Sequence, residues 1–181
     1  MGTGEVDDGT AGNTRPAPDA DRAAVEHAVD VFFAAFTSGP DCHTRIQALR
    51  ALFLPQAVIV RTCGLEPEVY GVEEFLAPRE RVLTDGTLTD FREWPLRGRV
   101  EVFGDIAHWF GAYAKQGLRA GEPFTGRGMK TVQLIRTAAG WRITAAAWDD
   151  ERADLALPPP GGDAQRLRGR PRAGRGSARR R

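Results

Sequence analysis

Residues 88–149 decide the fold, and they read LTDFREWPLRGRVEVFGDIAHWFGAYAKQGLRAGEPFTGRGMKTVQLIRTAAGWRITAAAWD. Apolar and polar residues alternate along this stretch with a period of two, which is typical of β-strands with one buried face. Tight turns are expected at Gly104-Asp105 and Ala138-Ala139-Gly140, so neighbouring strands should form antiparallel hairpins. A longer loop is expected at 117–125. The alternation predicts four long strands, at 88–102, 106–116, 126–137 and 141–149.

Upstream of these strands, apolar residues recur at helical spacing. A first helix is expected to be capped by Asp21 and to end at Ser38-Gly39-Pro40. A second helix fits 44–53, and Pro55 is expected to break that pattern. The remaining predicted elements are a β-branched strand at 57–60, a short extended piece that ends at Tyr70, and a third helix at 72–83 that is bent or interrupted at Pro78.

The two ends of the chain differ from this central part in composition. Residues 1–20 nearly lack large apolar side chains, so they cannot bury enough surface to offset the entropy of ordering. The same holds for 154–181, where a Pro-Pro-Pro-Gly-Gly run precedes an Arg-rich tail. We therefore expect disordered segments at 1–20 and 154–181 on either side of one domain at 21–153.

The totals of the chain agree with a single domain. With 181 residues, 41% of them hydrophobic, the chain can fill one core but not two. The net charge of +1 hides an asymmetry, because 163–181 holds eight Arg against the single acid Asp163. That tail could attract nucleic acid or an anionic membrane by charge alone, but it has no aromatic side chain to stack on bases. We expect neither a specific nucleic-acid partner nor a membrane partner.

The sequence also argues against several classes of protein. Its N-terminal residues lack the basic and apolar regions of a signal peptide, and no apolar run has the length of a membrane span. Two cysteines, Cys42 and Cys63, are too few for a disulfide framework and have no metal-ligand spacing. We expect a cytoplasmic protein without a metal or a cofactor.

Several short segments occur in an order that resembles the nuclear-transport-factor-2-like superfamily, which includes the SnoaL-like cyclases and the ketosteroid isomerases. The resemblance covers roughly 21–153, and within the superfamily it is to a branch of unknown function whose members end in Trp-Asp-Asp-Glu-Arg, here Trp148 to Arg152. The segments that carry it are ALFLPQAVIV at 51–60, YGVEEF at 70–75, VFGDIA at 102–107, GWRI at 140–143 and AWD at 147–149.

The resemblance implies an α+β fold of the cystatin-like type. In such a fold a strongly curved antiparallel sheet wraps around the N-terminal helices to form a cone with an internal pocket. The superfamily also implies a homodimer that forms through the outer face of the sheet. Members include enzymes and binding modules, so the fold does not by itself assign an activity.

Ketosteroid-isomerase chemistry is disfavoured by the residues themselves. That chemistry needs a carboxylate base together with a Tyr and a protonated Asp that bind the oxyanion. Matching the segments places Arg61, Phe32 and Thr131 at those three positions. An Arg cannot accept a proton at neutral pH, and a Phe has no hydroxyl group to donate.

Two arginines are candidates for ligand binding. Arg61 ends an apolar strand, and a guanidinium facing the pocket would bind a carboxylate or an enolate. The alternative is an ion pair at the rim with Glu66, Glu68 or Glu74. Arg79, which follows Pro78, has the same two interpretations.

His108 and Asp149 are the candidates for catalysis. His108 lies within a predicted strand and has a side chain suited to general acid–base work, but it could equally be a hydrogen-bonded packing residue. Asp149 belongs to the acidic run 149–151 beside Arg152, which could supply a base, bind a cation or form salt bridges at the end of the last strand.

Four further residues are candidates for lining a ligand pocket. Trp109 and Tyr113 share one face of a strand with Gly111 between them, which leaves room either for a planar ligand or for the first helix. Thr131 and Gln133 share a face of the next strand, where a buried amide would need a partner.

Three hypotheses follow from this sequence. The first is a homodimeric protein with a pocket for a small, partly apolar and anionic molecule. The second is a SnoaL-like cyclase, dehydratase or isomerase that acts on a small hydrophobic substrate. The third is a dimeric interaction module with a collapsed cavity.

Overall fold

The computed structural model describes residues 18–64 and 66–159. Disorder was expected at 1–20 and 154–181. Of those two segments, the described residues include only 18–20 and 154–159, and the rest of the prediction falls outside them. The elements are α1 (Pro18–Ala34), α2 (Cys42–Leu52), β1 (Phe53–Arg61), β2 (Glu68–Tyr70), α3 (Val72–Thr84), β3 (Leu88–Phe103), β4 (Ile106–Arg119), β5 (Glu122–Thr137) and β6 (Gly140–Asp150).

The six strands form one sheet in the order β2-β1-β6-β5-β4-β3. The predicted hairpins are confirmed, since β3, β4, β5 and β6 pair antiparallel in succession. However, β1 pairs parallel with β6, so the sheet is mixed rather than wholly antiparallel. No short turn joins these two strands, and the alternation within a strand does not encode the direction of its partner.

The sheet is curved and unclosed, and it wraps around the first helix. Pairing of β3 with β4 shifts register between Thr89 and Arg92 and again between Pro95 and Arg97. Such bulges bend a strand and increase its local twist. The concave face holds α1, whose residues Phe32 and Phe33 are almost fully buried. The α+β, cystatin-like class expected from the sequence is confirmed.

Several predicted boundaries need correction. Helix α1 begins at Pro18, where Pro is well tolerated because its missing N–H would have no helical partner. Strand β1 includes Pro55, which lies where pairing with β6 is irregular and so removes no ladder bond. Pro78 lies inside α3, which continues to Thr84. The long loop predicted at 117–125 is instead a tight turn at Ala120-Gly121, where both residues have positive φ.

Trp109 fills the room that the glycines beside it leave. Its side chain is 5% exposed and packs edge-on against Phe33, with 5.4 Å between ring centroids. A Cβ placed on Gly98 would overlap the indole, and a Cβ on Gly111 would lie 2.5 Å from it. The space predicted between the aromatic residues of β4 is therefore taken by Trp109 itself and by α1, and not by a ligand.

Gly98→Ala should destabilise the fold, because a methyl group at that position collides with the buried Trp109 indole. We expect the free energy of unfolding to fall by about 1–3 kcal/mol, measured by urea denaturation. Gly71→Ala is the control for steric overlap, since a Cβ there meets nothing closer than 3.6 Å, and as the N-cap of α3 it should cost less than about 1 kcal/mol. Equal losses in the two variants would contradict this account of Trp109.

Candidate functional site

A cavity of about 450 Å³ lies between the concave face of the sheet and α3. Its walls are aromatic and aliphatic, and seven charged side chains face into it. Five of these are cations and two are carboxylates. The charged lining residues are Arg61, Arg79, Glu93, Lys115, Arg119, Lys130 and Asp150, and the aromatic ones are Phe36, Phe75, Phe91, Phe124 and Trp148.

Lys130 of β5 lies at the buried end of this cavity, and its side chain is 4% exposed. It forms an ion pair with Glu93 of β3, which is also nearly buried. Burial lowers the pKa of Lys130, and the adjacent Glu93 only partly offsets that effect. Five aromatic rings surround the ammonium group, with centroids 4.6–5.8 Å from Nζ, and they belong to Tyr113, Phe32, Phe33, Trp148 and Phe36.

A second polar group centres on Asp150 at the end of β6. Both of its oxygens accept hydrogen bonds from Nζ of Lys115, at 2.8 and 2.9 Å. It also accepts from the Tyr113 hydroxyl and, at 3.3 Å, from the Cys63 thiol. Burial opposes ionisation, but the bonds from Lys115 and Tyr113 outweigh it and hold the pKa of Asp150 below its ordinary value. Asp150 is therefore a fully engaged carboxylate.

Glycines on β5 allow this contact to span three strands. Tyr113 on β4, Gly128 on β5 and Asp150 on β6 lie side by side in the sheet. A Cβ at Gly128 would lie 2.8 Å from the Tyr113 hydroxyl, and one at Gly126 would lie 2.8 Å from the Lys115 side chain. The absence of side chains at both glycines lets Tyr113 and Lys115 cross β5. The packing of Tyr113 and Lys115 therefore explains the two glycines of the Gly126-Arg127-Gly128 stretch.

Arg79 of α3 presents its guanidinium to the cavity from the helical side. It stacks on Phe75, with 3.9 Å to the ring centroid, and donates to the carbonyl oxygen of the same residue. Burial lowers the pKa of Arg79, although a guanidinium stays charged at neutral pH. Two further arginines, Arg61 and Arg119, also line the cavity. Arg61 pairs with Glu68 at 3.3 Å, as one of its two interpretations predicts, while ligand binding by Arg61 stays a prediction.

Three of the candidates lie on the opposite, outer face of the sheet. His108 contacts Thr131 at 2.5 Å between Nε2 and Oγ1. Gln133 is exposed and borders a shallow groove there with His108. The prediction that Thr131 and Gln133 line the internal pocket is corrected, because alternation along β5 turns Lys130 inward and Thr131 outward. His108 likewise has no access to the cavity.

The acidic run at the end of β6 is divided between the two faces. Asp149 points outward and pairs with Arg152 at 2.8 Å, whereas Asp150 points into the cavity. Glu151 pairs with Arg127. Asp149 is therefore a salt-bridge residue outside the cavity, and its neighbour is the carboxylate that the cavity contains. Tyr113 is fully buried beneath the lining and contacts it through Asp150.

Sequence reasoning missed Lys130, Lys115, Glu93 and Asp150. The rarity of Lys in the sequence could have identified Lys130 and Lys115. Of the 25 basic residues in the chain, 23 are Arg and only Lys115 and Lys130 are Lys, and both line the cavity. An ammonium group can lose its proton when it is buried, whereas a guanidinium stays charged.

Structural comparison identifies the fold. An NTF2-like superfamily protein from Salmonella enterica is 13% identical, with a TM-score of 0.63 over 81% of this chain and 99% of that one. An NTF2-like protein with a cystatin-like fold from Novosphingobium aromaticivorans is 16% identical, with a TM-score of 0.55 over 72% and 82%. This chain has the NTF2-like fold. The predicted resemblance is thereby supported, and at these identities the likeness establishes the fold alone.

Enzymes also occur among the structures with this NTF2-like fold. A hexachlorocyclohexane dehydrochlorinase is 16% identical, with a TM-score of 0.60 over 78% of this chain and 95% of that one. No family model matches the chain, and no curated protein matches it.

The described residues offer neither a metal site nor a membrane-spanning helix. Within residues 18–64 and 66–159, no cluster of three or more His, Cys, Asp or Glu side chains could hold a metal ion. In the same part of the chain, no helix is both long and apolar enough to cross a bilayer.

Asp150→Asn should lower the free energy of unfolding at pH 7 by about 2 kcal/mol, because the partly buried Lys115 loses its charged acceptor. The folded-state pKa of Asp150 lies below its ordinary 3.8. Its contribution is therefore complete above the unfolded-state pKa and is lost as pH falls through the folded-state pKa. Urea denaturation should show a constant difference from wild type at neutral pH that shrinks below about pH 4.

Asp149→Asn is the control for this measurement, since the neighbouring carboxylate sits in an outer, half-exposed ion pair. We expect it to cost less than about 1 kcal/mol. A loss at Asp149 equal to that at Asp150 would contradict the assignment of the inner carboxylate as the stabilising one.

Proposed function

We propose that this protein binds a small, partly apolar, anionic molecule in the cavity of its NTF2-like domain. The volume of about 450 Å³ lies within the usual range of small-molecule sites. Aromatic side chains form much of the lining, and they favour a flat apolar body over a chain of hydroxyl groups.

The observation that carries this proposal is the surplus of positive charge in the cavity. Glu93 pairs with Lys130, and Asp150 pairs with Lys115, so both carboxylates are already neutralised. Within the described part of the chain, neither Arg79 nor Arg119 is in ion-pair contact with a carboxylate. Both guanidinium groups instead stack on aromatic rings, of Phe75 and Phe124 respectively. A carboxylate on the ligand would supply the missing partner.

The enzymatic alternative depends on different residues from those first considered. His108 and Asp149 cannot reach a molecule in the cavity from the outer face. The groups that could move a proton there are Glu93 and the two lysines. A cyclase, dehydratase or isomerase reaction in this cavity would therefore have to use that set.

Arg79→Gln should weaken binding of 2-naphthoate, a flat aromatic carboxylate, by about 10–100-fold, because a hydrogen-bonded charge pair is lost. Isothermal titration calorimetry on the full chain measures the effect. Binding of the neutral analogue 2-naphthamide should change little. Arg81→Gln, on the exposed side of the same helix, is the matched control and should bind 2-naphthoate as wild type does.

Equal affinity for 2-naphthoate in wild type and Arg79→Gln would contradict the role of Arg79. Failure of wild type to bind any aromatic carboxylate would overturn the proposed function itself.

The homodimer stays a prediction, and the outer face of the sheet offers a surface for it. Phe103, Ile106 and Phe110 are 84%, 59% and 50% exposed there, which is unusual for large apolar side chains. Sedimentation equilibrium should give twice the chain mass of 19.7 kDa. Phe110→Lys should shift the protein toward monomer, because it places like charges opposite each other at a twofold contact. A wild-type monomer would refute the dimer.

A further inference from the structure

We propose that Lys130 is an amine nucleophile that forms an imine with the carbonyl group of a small aromatic oxo acid or aldehyde acid. This inference rests on the proposed function, since Arg79 would hold the carboxylate of the same molecule. It adds a covalent step that reversible binding does not require.

Lysine is a rare residue in this chain. The chain uses Arg at 23 of its 25 basic positions and keeps Lys only at two positions in this cavity. A permanently charged Arg would serve for anion binding and for a salt bridge. What Lys offers in addition is an amine that can lose its proton and attack a carbonyl carbon.

The two lysines differ in their surroundings. Lys115 bonds both oxygens of Asp150 and is partly exposed, an arrangement that holds it as a cation. Lys130 is 4% exposed among aromatic rings, and within the described residues Glu93 is the only carboxylate in ion-pair contact with it. Apolar surroundings favour the neutral amine and Glu93 opposes this only in part, so burial lowers the pKa of Lys130.

The Glu93–Lys130 ion pair is costly to bury. Burying an ion pair costs several kcal/mol for each ion, and well-packed apolar residues in its place are often neutral or stabilising. The Glu93–Lys130 pair is therefore a poor device for stability alone. It lies where the cavity ends, so that a bound molecule can contact it.

The positions of Lys130 and Arg79 suit one small molecule. Nζ of Lys130 lies 5.5 Å from the Trp148 ring centroid, and Cζ of Arg79 lies 5.6 Å from the same centroid. Both cations therefore border the Trp148 indole, and a flat ligand that stacks there would have its carboxylate toward Arg79 and its carbonyl group toward Lys130. An aromatic acid with an aldehyde or keto group matches both contacts.

The step balances with the groups present. Glu93 takes a proton from the Lys130 ammonium, the neutral amine adds to the carbonyl carbon, and one amine proton moves to the carbonyl oxygen to give a carbinolamine. Glu93 returns that proton to the carbinolamine hydroxyl group, which leaves as water when the C=N bond forms. The product is a protonated imine beside the Glu93 carboxylate, and no oxidant or reductant is consumed.

The test is reductive trapping in the full-length wild-type chain with 4-carboxybenzaldehyde and sodium borohydride, followed by peptide mapping. We expect one reduced adduct on Lys130, formed at least about tenfold faster than on Lys115 or on the N-terminal amine. Benzaldehyde, which lacks the carboxylate, should label Lys130 more slowly, and Arg79→Gln should remove that difference. This experiment needs no variant of Lys130 to fold.

Two variants test the chemistry separately from the charge. Lys130→Arg keeps a cation opposite Glu93 and should give no adduct, and Glu93→Gln should slow adduct formation because the proton carrier is lost. Circular dichroism and thermal denaturation establish that each variant is folded. If either fails to fold, the wild-type peptide map still decides.

The outcomes separate this inference from the proposed function. 4-Hydroxymethylbenzoate has the same ring and carboxylate without the carbonyl group, and calorimetry reports whether it binds. If it binds but 4-carboxybenzaldehyde leaves no adduct on Lys130, or labels Lys115 equally fast, the imine is overturned and the binding function stands. If neither compound binds or reacts, both proposals fail.

Discussion

The buried ion pair between Lys130 and Glu93 is the constraint on which the rest of this structure depends. An ammonium group cannot be removed from water without compensation, and here the compensation comes from one carboxylate and five aromatic rings. Two of those rings belong to α1, one to the bend that follows it, one to β4 and one to β6. The helix, the middle of the sheet and its last strand are thereby fixed around one charge, and the cavity begins where that shell ends.

Polar groups on the concave face depend on glycines that leave space for their neighbours. Gly128 and Gly126 let Tyr113 and Lys115 reach across β5 to Asp150. Gly98 and Gly111 accommodate the Trp109 indole in the same way. A glycine weakens a strand when considered alone. In this sheet each of these glycines admits a side chain that ties two or three strands together, so the local loss is offset by packing.

Sequence reasoning recovered the fold better than the site, and the reason is physical. Alternation and turn residues are local properties, so the hairpins from β3 to β6 were predictable. The direction of β1 relative to β6 depends on contacts remote in sequence, and it was not. For the site, an error of one residue reverses the face. Thr131 and Asp149 were chosen, while the residues that face the cavity are their neighbours Lys130 and Asp150. Arg61 and Arg79 were found because a charge beside apolar sequence is conspicuous.

The parallel pairing of β1 with β6 has a consequence for biosynthesis. Strand β6 is synthesised after the other five described strands, yet it lies inside the sheet, between β1 and β5, and does not lie at its edge. Until residues 140–150 emerge, both neighbouring strands keep an unpaired backbone edge, and such edges recruit other chains. The nascent domain therefore completes its core only when synthesis has passed its final strand.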